Sequence, residues 1–320
     1  MRVLVTGPTG FIGINLCRLL KQQGHYVRAL IRTPAKQALI ADSIDEAVYG
    51  DITAPDSLKG ICQSMDIVFH LSGLTKSTRL ERFLAVNYFG TVHVAKEAAR
   101  AKGLRRFVLL SSLAAGGPSA EGARGQRPDQ PVSFYGQSKL MAEWYIGRAG
   151  IPFTIVRPPI VYGPWERDVL AYFKMARRRV VPVMGQAKPF SVVYVADLVS
   201  ILTNLMEDDR ASGKVLHVAE NRTYSFAAII RAIARSMGVR PWLVPIPQWL
   251  LIPAAVLYEW LANSLHLSPL LTRDKVSEIW QCGWVSDSTR ATDALGLQCP
   301  TPLERGTQLT CAWYKQNGWL

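Results

Sequence analysis

The sequence predicts an α/β fold in which a doubly wound parallel sheet is joined to a smaller C-terminal α+β lobe. Two observations support this prediction. Short apolar runs alternate with helical patterns through the first half of the 320 residues, which is typical of β-α-β units. A glycine-rich turn then connects the first strand to the first helix. We expect residues 1–161 to form the sheet domain and residues 162–320 the lobe, with some chain crossing back to the sheet.

The first strand, at 2–6, and the first helix, at 11–20, are separated by glycines at three-residue spacing. Such a turn permits a sharp change of direction and brings the backbone close to a pyrophosphate. It also lets the helix pack closely on the strand, while the helix N-terminus offers N–H groups to the phosphate. The sequence therefore predicts a dinucleotide site. Its predicted residues are Gly7, Thr9, Gly10, Phe11, Ile12 and Gly13.

The second strand, predicted at 26–31, ends at Arg32. In an NAD site this strand end carries an acid that binds the ribose hydroxyls, whereas a basic residue suits the 2′-phosphate of NADP. Arg32, with Lys36 one turn later, therefore favours NADP(H), and NAD(H) is the alternative. The competing interpretation of Arg32 is an ordinary solvated charge at a strand end.

Three further strands are predicted at 47–49, 66–70 and 106–110. Right-handed crossovers bring the carboxyl ends of parallel strands to one edge of the sheet, where the cofactor binds. We therefore expect the loops after the third and fourth strands to face the cofactor. These loops contribute Asp51, Leu71, Ser72 and Gly73.

The second half of the chain has a looser pattern. A strand is predicted at 215–218, and a helix from 226 to 235 is predicted to be capped by Ser225. The segment 241–258 holds no charge, but its prolines argue against a membrane span. We expect this segment to form the wall of an apolar pocket; a surface helix that touches lipid is the alternative.

Tyr135 and Lys139 are four residues apart and so lie on one face of a helix. A phenol ionises at about pH 10, and we expect the Lys139 ammonium to lower the pKa of Tyr135 towards the range of acid–base catalysis. Lys139 can also hydrogen-bond the nicotinamide ribose. Ser112, after the strand at 106–110, is placed to hydrogen-bond a substrate oxygen. One of Ser111 and Ser112 can instead have a purely structural role as a strand-end cap.

The order of these motifs resembles the extended short-chain dehydrogenases/reductases, which form the NAD-dependent epimerase/dehydratase superfamily. The matching set also contains Asn87 and the run R-P-P-I-V-Y-G-P at 157–164. This resemblance implies a Rossmann-type sheet, with Tyr135 as general acid/base, Lys139 as its tuner and ribose anchor, and Ser112 as the substrate-orienting hydroxyl.

The resemblance further implies contacts of Asp51 and Ile52 with the adenine. Asn87 would support Lys139 and the central helix, and the stretch from Pro158 to Ile160 would pass the nicotinamide. Many members dimerise through the helices that hold the Asn and the Y-x-x-x-K motif, so a homodimer is expected.

Departures from the family's patterns favour a reductase of apolar substrates. Sugar 4,6-dehydratases of this superfamily carry an Asp-Glu pair directly after the catalytic hydroxyl. The residues after Ser112, at 113–115, include no carboxylate, so dehydration is disfavoured. Ile160 stands where nucleotide-sugar epimerases commonly carry Asn. With Arg32 and the apolar segment 241–258, these features resemble the 3β-hydroxysteroid dehydrogenase and dihydroflavonol reductase branch.

The expected reaction is hydride transfer between NADP(H) and a ketone or secondary alcohol of a bulky, mostly apolar substrate. Two alternatives stay open: a nucleotide-sugar 4-epimerase with retained NAD, and a non-catalytic NADPH-binding sensor or assembly subunit.

The net charge of +13 is spread along the chain, and its densest run, at 177–179, follows a helical pattern whose dipole it complements. No nucleic-acid partner is therefore expected, whereas peripheral contact with a membrane fits the basic charge. The five cysteines and five histidines show no metal-ligand spacing, so no metal is expected. His70, beside the expected crevice, is the one histidine singled out. Because the first strand begins at residue 2, we expect a cytoplasmic location, with or without membrane association.

Overall fold

The computed structural model describes residues 1–120, 128–184, 188–247, 249, 253, 256, 278, 281–289 and 295–320. The strands are β1 (Arg2–Thr6), β2 (Tyr26–Ile31), β3 (Glu46–Tyr49), β4 (Ile67–His70), β5 (Arg106–Leu110), β6 (Phe153–Arg157), β7 (Ile160–Tyr162), β8 (Val180–Met184), β9 (Pro189–Tyr194), β10 (Lys214–His217), β11 (Thr223–Ser225) and β12 (Trp242–Ile246).

The α-helices are α1 (Phe11–Gln22), α2 (Leu80–Phe83), α3 (Gly90–Arg100), α4 (Leu113–Gly116), α5 (Phe134–Ile146), α6 (Arg167–Arg177), α7 (Val195–Asn204), α8 (Phe226–Ser236) and α9 (Leu303–Gln316). A π-helical turn, Leu84–Phe89, continues α2 into α3, and short 3₁₀ turns lie at Pro34–Leu39, Ala41–Ser43, Pro55–Leu58 and Asp209–Ala211.

The central sheet of the described chain has seven parallel strands in the order β10-β6-β5-β4-β1-β2-β3. The chain moves outward from β1 to β3 and then returns to pair β4 with the other side of β1. This reversal creates a crevice at the carboxyl ends of β1 and β4, which is where open α/β sheets bind their ligands. The predicted α/β, doubly wound sheet is confirmed.

Helices cover both faces of this sheet. On one face, α1 and α7 contribute Leu16, Leu20, Leu198 and Leu202 to an apolar cluster with the strands. On the other face, α3 and α5 pack through residues that include Ala142. Because the parallel strands are buried on both faces, they are short and apolar, which explains why the sequence reveals them well.

Helices α6, α8 and α9 form a separate apolar cluster with the short parallel pair β8 and β12. A second small sheet has the order β11-β9-β7. The strand predicted at 215–218 is observed as β10, and it pairs with β6 at the edge of the central sheet. The chain therefore crosses back to the sheet at this point. Ser225 caps α8 by accepting a hydrogen bond from the Ala228 amide, as predicted.

Much of the segment 241–258 lies outside the described residues, which include only 241–247, 249, 253 and 256 of it. Its first part is the strand β12 and not a helix. Trp242 and Trp249 are both well exposed.

Candidate functional site

The turn after β1 has the geometry that the glycine spacing predicts. Gly7 adopts a positive φ of 68°, and a Cβ there would lie 2.8 Å from the Ser72 amide nitrogen. A Cβ on Gly13 would lie 2.1 Å from the Gly7 carbonyl oxygen, so a side chain at 13 would separate α1 from the turn. Gly10 is exposed at the N-terminus of α1. The three glycines therefore allow a tight turn, an open helix end and close helix packing.

The N-terminus of α1 fits a pyrophosphate. Gly10 is its N-cap, no side chain caps the helix, and its first turn contains no acid. A helix end of this kind offers free N–H groups and a positive dipole to an anion. Thr9, Phe11 and Ile12 flank this end and are partly exposed.

The loop after β4 lies directly beside this turn. The Ser72 amide donates to Thr6 Oγ1 at 3.2 Å, which fixes the loop to the end of β1. A Cβ on Gly73 would lie 3.3 Å from Asn87 Oδ1 and 4.0 Å from Lys139 Nζ. Leu71, Ser72 and Gly73 are thus brought together with the predicted ribose anchor.

Arg32 lies on the surface next to the end of β3. Its Nε is 4.0 Å from Asp51 Oδ2, and its side chain is 70% exposed. Lys36 is exposed in the 3₁₀ turn Pro34–Leu39. Asp51 accepts hydrogen bonds from the Thr53 amide and hydroxyl. Arg32 and Asp51 therefore present opposite charges at the end of the crevice beside β2 and β3.

Ile52 is buried, and its side chain packs against Gly90. A Cβ at position 90 would lie only 2.6 Å from Ile52 Cδ1. Its carbonyl oxygen is bonded to the His93 ring at 2.8 Å. Ile52 thus fixes the loop after β3 to the start of α3, which keeps Asp51 beside the crevice.

Ser112 and Tyr135 meet at the carboxyl end of β5. The Ser112 hydroxyl lies close enough to the Tyr135 hydroxyl to favour its ionised form. Ser112 is also the N-cap of α4 and accepts from the Ala114 amide at 3.1 Å. Ser133 caps α5 by accepting from the Gly136 amide, so this helix begins one residue before Tyr135. The predicted catalytic hydroxyls are therefore adjacent.

The pKa of Tyr135 is shifted in the direction opposite to our expectation. Burial raises the pKa of Tyr135 to about 12, the nearby Ser112 hydroxyl opposes this shift, and the negative charge of Glu278 adds to it. The prediction that Lys139 lowers this pKa is wrong for this structure, because desolvation of the phenolate dominates. Nothing in the local sequence pattern signalled the influence of Glu278, which lies far away in the chain.

Lys139 is buried, and its Nζ donates to the Leu110 carbonyl oxygen at 2.6 Å. Burial lowers the pKa of Lys139 to about 8, and the carboxylate of Glu143, one helical turn later, partly opposes this. Asn87 Nδ2 donates to Ser138 Oγ at 2.9 Å, and Asn87 Oδ1 accepts from the Leu74 amide. Asn87 thereby links the π-helical turn to the residue next to Lys139.

A buried ionic network below the site escaped sequence reasoning. Arg157, at the end of β6, binds the carboxylates of both Glu143 and Asp129, and its Nε lies 2.9 Å from Glu143 Oε1. Ser111 donates to the same Glu143 carboxylate. Ser111 therefore has the structural role that was left open for one of the two serines. A cation in the R-P-P run and an acid on the Tyr135 helix were visible in the sequence, but their pairing was not.

Pro158 and Ile160 follow Arg157 towards the same edge of the sheet. The Pro158 carbonyl oxygen accepts from the Leu113 amide at 2.9 Å, which holds the R-P-P run against the Ser112 loop. Ile160 begins β7 and is 38% exposed. This edge of the sheet therefore presents an aliphatic side chain to solvent. Nucleotide-sugar epimerases commonly carry an Asn at this position.

His70 is fully buried between two threonine hydroxyls. Its Nδ1 lies 2.8 Å from Thr6 Oγ1 and its Nε2 lies 3.0 Å from Thr91 Oγ1. Burial, with a smaller effect of the Lys139 charge, lowers the pKa of His70 to about 3. The imidazole therefore stays neutral and ties β1, β4 and α3 together.

The wall beside Tyr135 is apolar. Phe83 lies 6.0 Å from Tyr135 between ring centroids, and Tyr135 packs against a cluster that includes Leu113, Phe190 and Trp284. The Trp284 indole donates to the Glu278 carbonyl oxygen at 2.8 Å. The second half of the chain therefore supplies aromatic side chains to the site in the first half.

No helix in the described part of the chain combines the length and hydropathy that a transmembrane segment requires.

The model of the NAD dependent epimerase/dehydratase family matches residues 3–219. A ceramide reductase of Caulobacter vibrioides is 32% identical, and the alignment covers 99% of this chain and 96% of that protein. A 3 beta-hydroxysteroid dehydrogenase/Delta 5-->4-isomerase of Mycobacterium tuberculosis is 27% identical over 75% of this chain and 70% of its own.

Among solved structures, the UDP-glucose 4-epimerase of Thermotoga maritima, in complex with UDP-glucose, superposes with a TM-score of 0.77 at 20% identity. The superposition covers 99% of each chain. At this level of identity the likeness is one of fold.

Proposed function

We propose, from the premise that the chain belongs to the NAD-dependent epimerase/dehydratase family of NAD(P)-dependent enzymes, that it is an NADP(H)-dependent reductase. Its substrate is a ketone, or in reverse a secondary alcohol, on a bulky and mostly apolar molecule. The observation that carries the proposal is the proximity of the Ser112 and Tyr135 hydroxyls beside an apolar wall of Phe83, Phe190 and Trp284.

The residues of the site have separate roles. The Ser112 hydroxyl holds the substrate carbonyl oxygen, and the Tyr135 hydroxyl donates a proton to that oxygen as it becomes an alkoxide. Because burial keeps the pKa of Tyr135 at about 12, the phenol holds its proton at neutral pH and can act as this acid. Lys139 supplies positive charge near the reacting oxygen.

The cofactor would be held by the glycine turn through its pyrophosphate and by Lys139 through its ribose, and it would supply a hydride to the carbonyl carbon. Arg32 and Lys36 support NADP(H), since both are exposed cations at the end of β2. Arg32→Asp is expected to weaken NADPH binding and to spare NADH binding. Lys59→Asp, at another exposed lysine, is the matched control. Tighter binding of NADH than of NADPH by the unmodified protein would contradict this preference.

An apolar lipid ketone is the proposed substrate class. The absence of a carboxylate at 113–115 and the exposed Ile160 support it, and so does the name of the ceramide reductase relative. The test is NADPH oxidation with a panel that contains long-chain keto lipids, steroid ketones and UDP-sugars. Oxidation of NADPH by a lipid ketone is expected. Interconversion of a UDP-sugar on tightly retained NAD, without NADPH consumption, would overturn the proposal.

We also propose a homodimer that forms through the helices around Tyr135. Phe89, Met141 and Trp144 are exposed apolar residues on the π-helical turn and on α5. Burial of such a patch against a second copy removes apolar surface from water. Light scattering should give twice the monomer mass, and Trp144→Ser should shift the protein towards monomer. A monomeric unmodified protein would contradict this.

A further inference from the structure

The parallel pair β8 and β12 has an unusual outward face. In register, Trp242 pairs with Val180 and Val244 pairs with Pro182. Val181 and Val183 point inward and are buried, whereas Val180 and Pro182 alternate with them and are exposed. Trp242 is 79% exposed and Val180 is 55% exposed. Where a half-buried strand normally turns polar residues to solvent, this one turns apolar residues outward.

Exposed cations lie in the elements that adjoin these two strands. They come from the end of α6, from α8 and from the turn before β12. Both helices contribute to the same apolar cluster below β8, and the Trp242 amide donates to the Arg179 carbonyl oxygen at 2.8 Å. We call the surface formed by Val180, Pro182, Trp242, Val244 and these cations the lobe face. The cations are Lys174, Arg177, Arg178, Arg179, Arg231, Arg235 and Arg240.

Within its own elements the lobe face has one acid, Asp168 at the start of α6, and this carboxylate is paired with Lys76. The chain contains no acid between 169 and 183 or between 226 and 247. None of the seven cations forms an ion pair with a residue that the structure describes. The helix dipole explains the cations in the last turns of α6 and α8, which include Arg177 and Arg235, but it does not explain Arg231 or Arg240.

We propose that the lobe face binds the surface of an anionic phospholipid bilayer. Trp side chains prefer the membrane–water interface, and arginines and lysines are attracted by acidic headgroups. The exposed valines gain from contact with acyl chains, which neither a nucleic acid nor a soluble acidic protein offers. The cations therefore favour a negatively charged partner, and the apolar row favours a lipid bilayer over other negatively charged partners.

The first test is co-sedimentation of the full-length protein with vesicles. Vesicles of phosphatidylcholine with phosphatidylglycerol should bind the protein, and vesicles of phosphatidylcholine alone should not. High salt should weaken the binding, because it screens the exposed charges. Failure to bind the phosphatidylglycerol vesicles overturns the proposal. The assay needs no turnover, so its outcome is independent of the proposed reductase activity.

The second test removes charge from the lobe face. The triple variant Arg177→Gln, Arg178→Gln and Arg179→Gln should lower the vesicle partition coefficient about a hundredfold. All three side chains are exposed, so folding should be retained, which a thermal melt checks.

The matched control removes three exposed charges elsewhere, in Lys96→Gln, Lys102→Gln and Arg105→Gln. It changes the net charge equally and should alter binding by no more than about twofold, because its charges lie away from the lobe face. An equal loss in both triple variants would mean that the attraction is unspecific and would overturn the proposal.

The third test removes the apolar row. Trp242→Ser with Val244→Ser should weaken vesicle binding about tenfold, and this loss should persist at high salt because it is not electrostatic. The control pair is Tyr49→Ser with Val215→Ser, which are also exposed. Unchanged binding of the Trp242/Val244 variant, or a change in oligomeric mass in place of lost vesicle binding, would overturn the proposal in favour of a protein partner.

Discussion

The site around Tyr135 and the lobe face differ in where their charged groups lie and in whether those groups are paired. Around Tyr135, buried polar groups bind one another, as Arg157 does with Glu143. On the lobe face, exposed cations without acidic partners in the described chain accompany an apolar row that includes Trp242. The first arrangement makes each residue depend on its neighbours. The second leaves each side chain exposed, so that it contributes little to the stability of the fold and can contact a membrane surface.

The largest effect is expected when the proposed proton donor is removed. Tyr135→Phe should reduce the turnover number about 10²- to 10⁴-fold, because the alkoxide then lacks its proton donor. Cofactor affinity, measured by fluorescence titration, should change little. Tyr49→Phe is the control, since it removes an exposed hydroxyl from β3. Undiminished turnover of Tyr135→Phe would show that the residue is not the acid.

The next largest effect is expected in the buried ionic network, where the loss of one charged residue leaves its partner unpaired. Arg157→Met should lower the free energy of unfolding by about 3 to 5 kcal/mol, because it leaves the buried Glu143 carboxylate without a cation. Arg210→Met breaks an exposed pair with Asp208, and it should lower the free energy of unfolding far less, because solvent screens this pair. Urea denaturation of both variants measures the difference. Equal effects would remove the distinction between the two regions.

Lys139 offers a test by pH. Its pKa of about 8 lies below the ordinary value of 10.5, so the folded chain binds fewer protons than the unfolded chain between these values. The contribution of Lys139 to the unfolding free energy therefore rises with pH across this window, by about 3 kcal/mol. Comparison with Lys139→Met isolates it, since the variant lacks this rise. Parallel pH profiles of the two proteins would contradict the burial of a titrating ammonium.

The smallest effect on stability is expected at the lobe face. Trp242→Ser should change the free energy of unfolding by no more than about 0.5 kcal/mol, because the side chain is mostly in solvent already. Phe173→Ser, in the apolar cluster below β8, is the contrasting variant and should destabilise the fold by at least about 3 kcal/mol. A large loss of stability in Trp242→Ser would mean that Trp242 is part of the core.

The sequence was most informative where local pattern and tertiary structure agree. The ends of β1, β2 and β5 match the prediction because buried parallel strands have a continuous apolar pattern. Ser112 and Tyr135 lie together because β5 ends and α5 begins at the same edge of the sheet. These features depend on periodicity and spacing, which a sequence contains directly.

Other features depend on contacts between distant residues and were missed. The pKa of Tyr135 rises because residues far along the chain bury it and because Glu278 adds charge, so the nearby Lys139 was a poor guide. The partners of Arg157 come from two other segments. The row of exposed apolar residues on β12 resembles a buried strand in sequence, and only the exposure of Trp242 and Val244 in the folded chain shows that they face solvent.

The hydrogen bonds that His70 forms with Thr6 and Thr91 all run in one donor-to-acceptor direction. Thr91 Oγ1 donates to the Asn87 carbonyl oxygen at 2.6 Å, so it must accept from His70, whose proton therefore resides on Nε2. His70 Nδ1 then accepts from Thr6, whose oxygen accepts from the Ser72 amide. Every donor in this chain points the same way, from the loop after β4 to the π-helical turn. A second proton on the ring would leave two donors facing each other at Thr6, so a single tautomer holds the two walls of the crevice in place.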